Sequence, residues 1–128
     1  VGFDGGQPRQ LTSGKFEVTD VDLSRDGSKF WLTTSEVSLY ERHFYAMPVS
    51  GGARTKLTSQ AGRHAVTLSP DETWAADLYS FTTRPGELYA GPLNSAPKQL
   101  TDSPTAEWKE YKWTTGEIVE IPARDGVK

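Results

Sequence analysis

The stretch SGGARTKLTS (residues 50–59) returns with small changes as DGGQPRQLTS at 4–13 and as SAPKQLTDS at 95–103. Each copy is a tight turn followed by a short strand ending in Leu-Thr. Leu11, Leu57 and Leu100 hold the same place in the three copies, 46 and 43 residues apart. A period of about 40–50 residues marks stacked supersecondary units, and at that length a four-stranded blade fits. The repeat also extends beyond the turn. VDLSRDGSKFWLTTS (21–35) matches VTLSPDETWAADLYS (66–80), with Leu23 on Leu68, Ser24 on Ser69 and Asp26 on Asp71. FYAMPVSGG (44–52) matches LYAGPLNSA (88–96) through Tyr45, Ala46 and Pro48 on Tyr89, Ala90 and Pro92. Four landmarks recurring in one order establish an internal repeat.

Each unit divides into four strands. In the first, FEVTDVDLS (16–24) alternates around Val18, Val21 and Leu23 and stops at Asp26-Gly27. An Asp-Gly pair between apolar runs is a strong hairpin signal, because both residues tolerate positive φ. KFWLTTS (29–35), HFYAMPV (43–49) and RTKLT (54–58) complete the unit. The second unit repeats the scheme at 64–69, 73–80, 87–93 and 98–101. No long stretch holds a 3.6-residue apolar period, so the expected class is all-β: a β-propeller fragment of about two four-stranded antiparallel blades plus an exit strand. Its organisation is 1–15 as the end of a preceding blade, 16–58 and 59–101 as full blades, and 102–128 as a linker and first strand of another domain. The two sheets are expected to pack face to face through Phe30, Leu32, Phe44, Val66, Leu68, Ala75 and Leu88. After Thr101, Pro104 can open a helical turn with Ser103 as N-cap. GEIVEIP (116–122) alternates as a strand and belongs to neither unit.

Composition narrows the function classes. A hydrophobic content of 35% with 24% charged residues is that of a globular domain, and 128 residues can bury a modest core. The net charge is −3 with no basic run, which argues against nucleic acid or an anionic membrane as partner. The absence of Cys removes disulfides, thiolate metal sites and thiol nucleophiles, and leaves periplasm and cytoplasm equally open. No apolar run approaches a membrane span. The opening VGFDGGQPRQ has neither the basic start nor the apolar run of a signal peptide, and reads as a chain entered near the end of a strand.

The combination of LSRDG, LSPDE, GGARTKLTS and the tail EYKWTTGEIVEIPARDGVK resembles the prolyl oligopeptidase family of serine peptidases, and more closely its dipeptidyl peptidase IV branch. The resemblance covers nearly the whole chain and implies the last two blades of the propeller, with GEIVEIPARDG crossing into an α/β-hydrolase domain. In that family the propeller caps a Ser-Asp-His hydrolase domain and the two enclose the substrate cavity. The nucleophile sits in a G-x-S-x-G elbow, yet no Ser of this chain has Gly at both −2 and +2. The branch also holds the substrate amine with adjacent glutamates, and no Glu-Glu pair is present. The expectation is therefore a non-catalytic segment with no catalytic residue, cofactor or metal of its own, whose partners are a hydrolase domain and, through the intact enzyme, a peptide substrate.

A triad built from what is present would need a Ser with His43 or His64 and a carboxylate. Both histidines begin strands and read as structural or solvated. Glu41, Arg42 and His43 form the most polar loop cluster, an intraloop ion pair or else a contact with the cavity rim or hydrolase domain. Asp26 and Asp71 read as turn residues accepting local N–H groups. The Trp residues read as packing between sheets. Two other readings compete: a TolB-like propeller binding module working through protein–protein contacts, and a sialidase-like propeller. The TolB-like module has no reason to end in EIVEIPARDG. The sialidase Asp-box S-x-D-x-G-x-T-W fits SRDGSKFW at Ser24, Asp26 and Trp31, but Gly27 falls one position early. Two isolated blades would expose their outer faces, so self-association through residues 117–122 or a blade face is expected.

Overall fold

A computed structural model describes residues 5–126, so Val1–Asp4 of the first segment and Val127 and Lys128 of the last lie outside it. Eight strands run in chain order: β1 Val18–Leu23, β2 Lys29–Thr34, β3 His43–Pro48, β4 Thr55–Lys56, β5 Arg63–Leu68, β6 Trp74–Phe81, β7 Arg84–Pro92 and β8 Lys98–Gln99. A single turn-and-a-half of helix, α1, follows at Ala106–Glu110. The strands form two four-stranded antiparallel meanders, β1-β2-β3-β4 and β5-β6-β7-β8, the two units of the repeat.

Each β1–β2-type turn is built by its Ser and Asp. Ser24 Oγ donates to Asp26 Oδ1 at 2.7 Å and accepts from the Lys29 N–H, while the Ser28 N–H and hydroxyl both reach Asp26 Oδ1. Ser69, Asp71, Thr73 and Trp74 repeat this arrangement. Asp26 and Asp71 are thus turn residues. The Ser28 backbone N–H, with the Ser24 and Ser28 hydroxyls, holds Asp26 at a pKa of about 2. The Ser69 hydroxyl and the Thr73 backbone N–H do the same for Asp71, also at about 2.

Residues opposite each other in an antiparallel pair point to the same side. Leu32 faces Tyr45 and Phe30 faces Met47, and this side packs against Leu11 of the incoming segment. The other side of the first sheet carries Trp31, Phe44 and Ala46, with the Trp31 and Phe44 rings stacked at 5.7 Å, and it is this side that meets the second sheet. The second sheet answers with His64, Val66, Leu68, Ala75, Asp77, Tyr79 and Tyr89. Phe30, Leu32 and Leu88 therefore do not join the inter-sheet contact: the first two lie on the Leu11 side. Leu88 pairs with Leu78 on the outward face of the second sheet. Both faces of these strands are apolar, so alternation alone does not say which one meets the neighbour.

Three further differences have local causes. β7 begins at Arg84 rather than 87, because Phe81 and Arg84 close a tight hairpin and the extra residue of Pro85-Gly86 is absorbed in a bulge. The N-cap of α1 is Thr105, whose Oγ1 accepts from the Trp108 N–H, and not Ser103. Ser103 gives its N–H and its hydroxyl to Glu87 Oε1, each at 2.6 Å. Residues 116–122 form no strand, and Ile118, Val119 and Ile121 are exposed. Their alternation suits a strand, but a strand needs a partner ladder, and none forms among the described residues. No described helix is long and apolar enough to cross a membrane.

Candidate functional site

The polar chemistry of the chain gathers where the two sheets meet. A parallel bridge brings the starts of β3 and β5 together: the Arg42 N–H donates to the Gly62 carbonyl and the His64 N–H to the Arg42 carbonyl, both at 3.0 Å. Gly62 permits this approach, since at its φ of 134° a Cβ would run into the Ser80 carbonyl and the Tyr79 ring. The bridge places the His43 and His64 rings 5.2 Å apart across the contact.

His43 is 1% exposed. Its Nε2 lies 2.7 Å from Glu41 Oε2 and its Nδ1 2.9 Å from Thr58 Oγ1. The Glu41 carboxylate only accepts, so Nε2–H donates to it; in that neutral tautomer Nδ1 accepts the Thr58 hydroxyl, whose oxygen also takes the Phe44 N–H. The second unit shows what this Thr is for. There Thr101 Oγ1 accepts the Leu88 N–H and donates to Glu87, the residue at the repeat position of His43. Thr58 and Thr101 each pin the outer edge of a blade to its third strand. The chain Thr58–His43–Glu41 has the members of a hydrolytic triad, but its hydroxyl already serves the backbone.

His64 is held differently. Its Nδ1 is 2.6 Å from Asp77 Oδ2 and its Nε2 2.8 Å from the Gln60 carbonyl. Carboxylate and carbonyl oxygens only accept, so both ring nitrogens carry protons and the ring is an imidazolium. Burial works against that charge, but the Asp77 carboxylate and the Gln60 carbonyl outweigh it and raise the pKa above 6.5. The ring stacks on Tyr79 at 4.9 Å, Tyr79 meets the edge of Tyr89, and the Tyr79 hydroxyl donates to the Ala61 carbonyl. His64–Asp77 thus resembles the base–orienter half of a triad, with a main-chain carbonyl where a nucleophile would stand. It can bind and rigidify; it has no hydroxyl to activate.

The predicted cluster Glu41–Arg42–His43 does come together. Glu41 and His43 pair directly, and Arg42 reaches Glu17 at 3.5 Å while donating to the Leu39 and Glu41 carbonyls. His43 is buried beside the His64 ring rather than solvated at a strand edge. Among the described residues no group of three His, Cys, Asp or Glu side chains could hold a metal ion. Sequence reasoning passed over Asp77 and Glu72. Glu72 accepts the Arg25 N–H at 2.8 Å and the Trp31 indole N–H at 3.0 Å, tying one sheet's turn to the other sheet. The signal for it was its place in the repeat, where the first unit has Gly27.

Comparison with known proteins decides the family. The family model for the dipeptidyl peptidase IV (DPP IV) N-terminal region matches residues 1–85. The chain belongs to that family. A relative from Emericella nidulans, "Probable dipeptidyl-aminopeptidase B", is 37% identical over 83 residues, covering 60% of this chain and 9% of its own length. The crystal structure of Porphyromonas gingivalis dipeptidyl peptidase 4 superposes with a TM-score of 0.78 at 21% identity, over 98% of this chain and 18% of that one. The likeness establishes the fold: a segment of a DPP IV N-terminal propeller, open rather than closed. The chain spans less than a fifth of either relative.

Proposed function

We propose that this DPP IV-family segment is a non-catalytic part of a dipeptidyl peptidase IV-like serine exopeptidase, and that it helps to cap and gate the substrate cavity. Its units run 16–58 and 59–101, after the end of a preceding blade at 1–15, and 102–128 leads toward an α/β-hydrolase domain. One observation carries the reading. In the first blade Phe44 and Leu57 lie on the face covered by the second blade. Their repeat positions in the second blade, Leu88 and Leu100, lie with Leu78 on an outward face where Leu78 is 53% and Leu100 56% exposed. A face of this composition suits a further blade laid against it, as the second is laid against the first. Glu41 and Arg42, at the mouth of the contact, are the residues offered to the cavity rim or hydrolase domain, with His43 anchoring their loop.

The test uses the whole enzyme in which this segment occurs. Loosening the blade contact with Glu72→Ala should raise hydrolysis of longer peptides relative to a chromogenic dipeptide. An unchanged size preference would contradict gating. The 128-residue chain itself should hydrolyse no Xaa-Pro chromogenic substrate above the buffer rate; turnover that survives repurification and yields to an active-site serine reagent would contradict the non-catalytic assignment.

A further inference from the structure

Between the outer strand of the first blade and the facing side of the second lies a cavity of about 480 Å³, within the range of small-molecule pockets. Phe44, Leu57, Val66 and the rings of Tyr79 and Tyr89 supply its apolar wall. Asp77 also lines it and is only 7% exposed. One carboxylate oxygen, Oδ2, is taken by His64; the other, Oδ1, is buried with no hydrogen-bond partner. Leaving a carboxylate oxygen so placed is unfavourable, because burial removes its hydration without replacing it.

The donors of His64, Tyr79 and Tyr89, which share Asp77's side of the sheet, are engaged elsewhere. Both His64 ring N–H groups already face acceptors, the Tyr79 hydroxyl donates to Ala61, and the Tyr89 hydroxyl donates to Gln99 Oε1. Oδ1 therefore calls for a hydrogen-bond donor on a molecule entering the cavity. The rings beside it favour a positive charge on that molecule, since aromatic faces attract cations. The aliphatic wall favours a short apolar stem behind it. The His64–Asp77 pair is neutral as a whole, so selection rests on the open acceptor and on the rings rather than on net charge. Lys56, solvent-exposed, is the cation among the lining residues besides His64, and it opposes a cationic guest.

We propose that this inter-blade cavity binds a small organic cation, an alkylammonium or alkylguanidinium group, whose N–H donates to Asp77 Oδ1 while its stem lies against Phe44, Tyr79 and Tyr89. The site does not depend on the proposed function.

The probe is n-butylammonium chloride, titrated into the isotope-labelled 128-residue chain and followed by amide and imidazole resonances, with butyrate and 1-butanol alongside. Saturable shifts at Asp77, His64 and Val66 are expected for the ammonium, with Kd on the order of 1 mM, as befits so small a ligand. Butyrate and butanol should leave them unsaturated. Asp77→Asn keeps the shape and should weaken binding at least about tenfold, the loss of a charge-assisted hydrogen bond. Val66→Phe keeps the carboxylate, fills the cavity and should abolish binding, and Lys56→Ala should tighten it. Equal responses to butanol and butylammonium, or saturation that survives Val66→Phe, would overturn the proposal, as would the absence of any saturable shift.

Discussion

Glu72 accepts a hydrogen bond from the Trp31 indole at 3.0 Å, and does so from a backbone at φ 57°, the left-handed region. The first blade puts Gly27 (φ 68°) at the same place in the repeat. A non-glycine residue in that region is strained by about 1–2 kcal/mol, and it is the two inter-blade hydrogen bonds of the carboxylate that hold it. Glu72→Gly should relieve the strain and lose both bonds, for a net destabilisation of about 1–2 kcal/mol. Glu72→Gln, which keeps an acceptor, should cost less. Urea denaturation of the two variants checks the order; a stabilised Glu72→Gly would mean that the bonds contribute nothing.

The His64 imidazolium makes the blade contact sensitive to alkali. Its folded pKa is raised above the ordinary 6.5, so its contribution is fully present below that value and is lost as pH climbs through the raised one. Stability of the wild-type chain should fall as pH rises from 6.5. The charged and titratable groups packed around the ring are Asp77, Tyr79, Lys56 and, through His43, Glu41. In His64→Gln the same segment of the pH profile should be flat, at an overall cost of about 3 kcal/mol for breaking a buried pair. A wild-type slope that persists in the variant would place the titration elsewhere.

At the acid end the two turn aspartates act in the opposite sense. Asp26 and Asp71, held at about 2 against an ordinary 3.8, contribute stability above 3.8 that is lost as pH falls toward 2. Asp26→Asn combined with Asp71→Asn should reduce the acid slope of the midpoint between pH 4 and 2. An unchanged slope would show that the turns do not titrate with folding.

Much of this arrangement was legible because the repeat carries its own register. Leu57 and Leu100, Asp26 and Asp71, and the Tyr-Ala-Pro runs fixed eight strands in order, since hairpin turns and alternation are local signals. The parts that were not legible depend on what lies opposite. The alternation at 116–122 cannot say whether a partner strand exists. Ser103 is as good an N-cap as Thr105 until the Glu87 carboxylate claims it. Pro85-Gly86 reads as a break unless the hairpin before it is known to absorb a bulge. His64 and Asp77 sit on neighbouring strands 13 residues apart, and only the pairing of Val66 with Asp77 and His64 with Tyr79 brings them side by side. The burial of His43 likewise depends on Thr58 and on the Arg42–Arg63 bridge to the second sheet, which nothing in its own strand announces.

The uncovered faces bear on association. Val21 and Leu23 beside Phe30 on one side, and Trp74, Leu78 and Leu100 on the other, leave apolar surface at both ends of the pair. Such patches find partners, so the chain should form dimers or larger species at micromolar concentration. Light scattering decides it: a monodisperse monomer near 14.1 kDa would contradict the expectation.

The most direct test of the account is the distance between two imidazoles. If the sheets are consecutive blades docked through their polar contact, the His43 and His64 ring centroids lie 5.2 Å apart, close enough for nuclear Overhauser effects between their ring protons in an imidazole-labelled sample. The account predicts cross-peaks between the two rings, weakened in Glu72→Ala and retained in Asp26→Asn. Two well-formed sheets with no His43–His64 cross-peak would show that the blades fold without docking, and would contradict it.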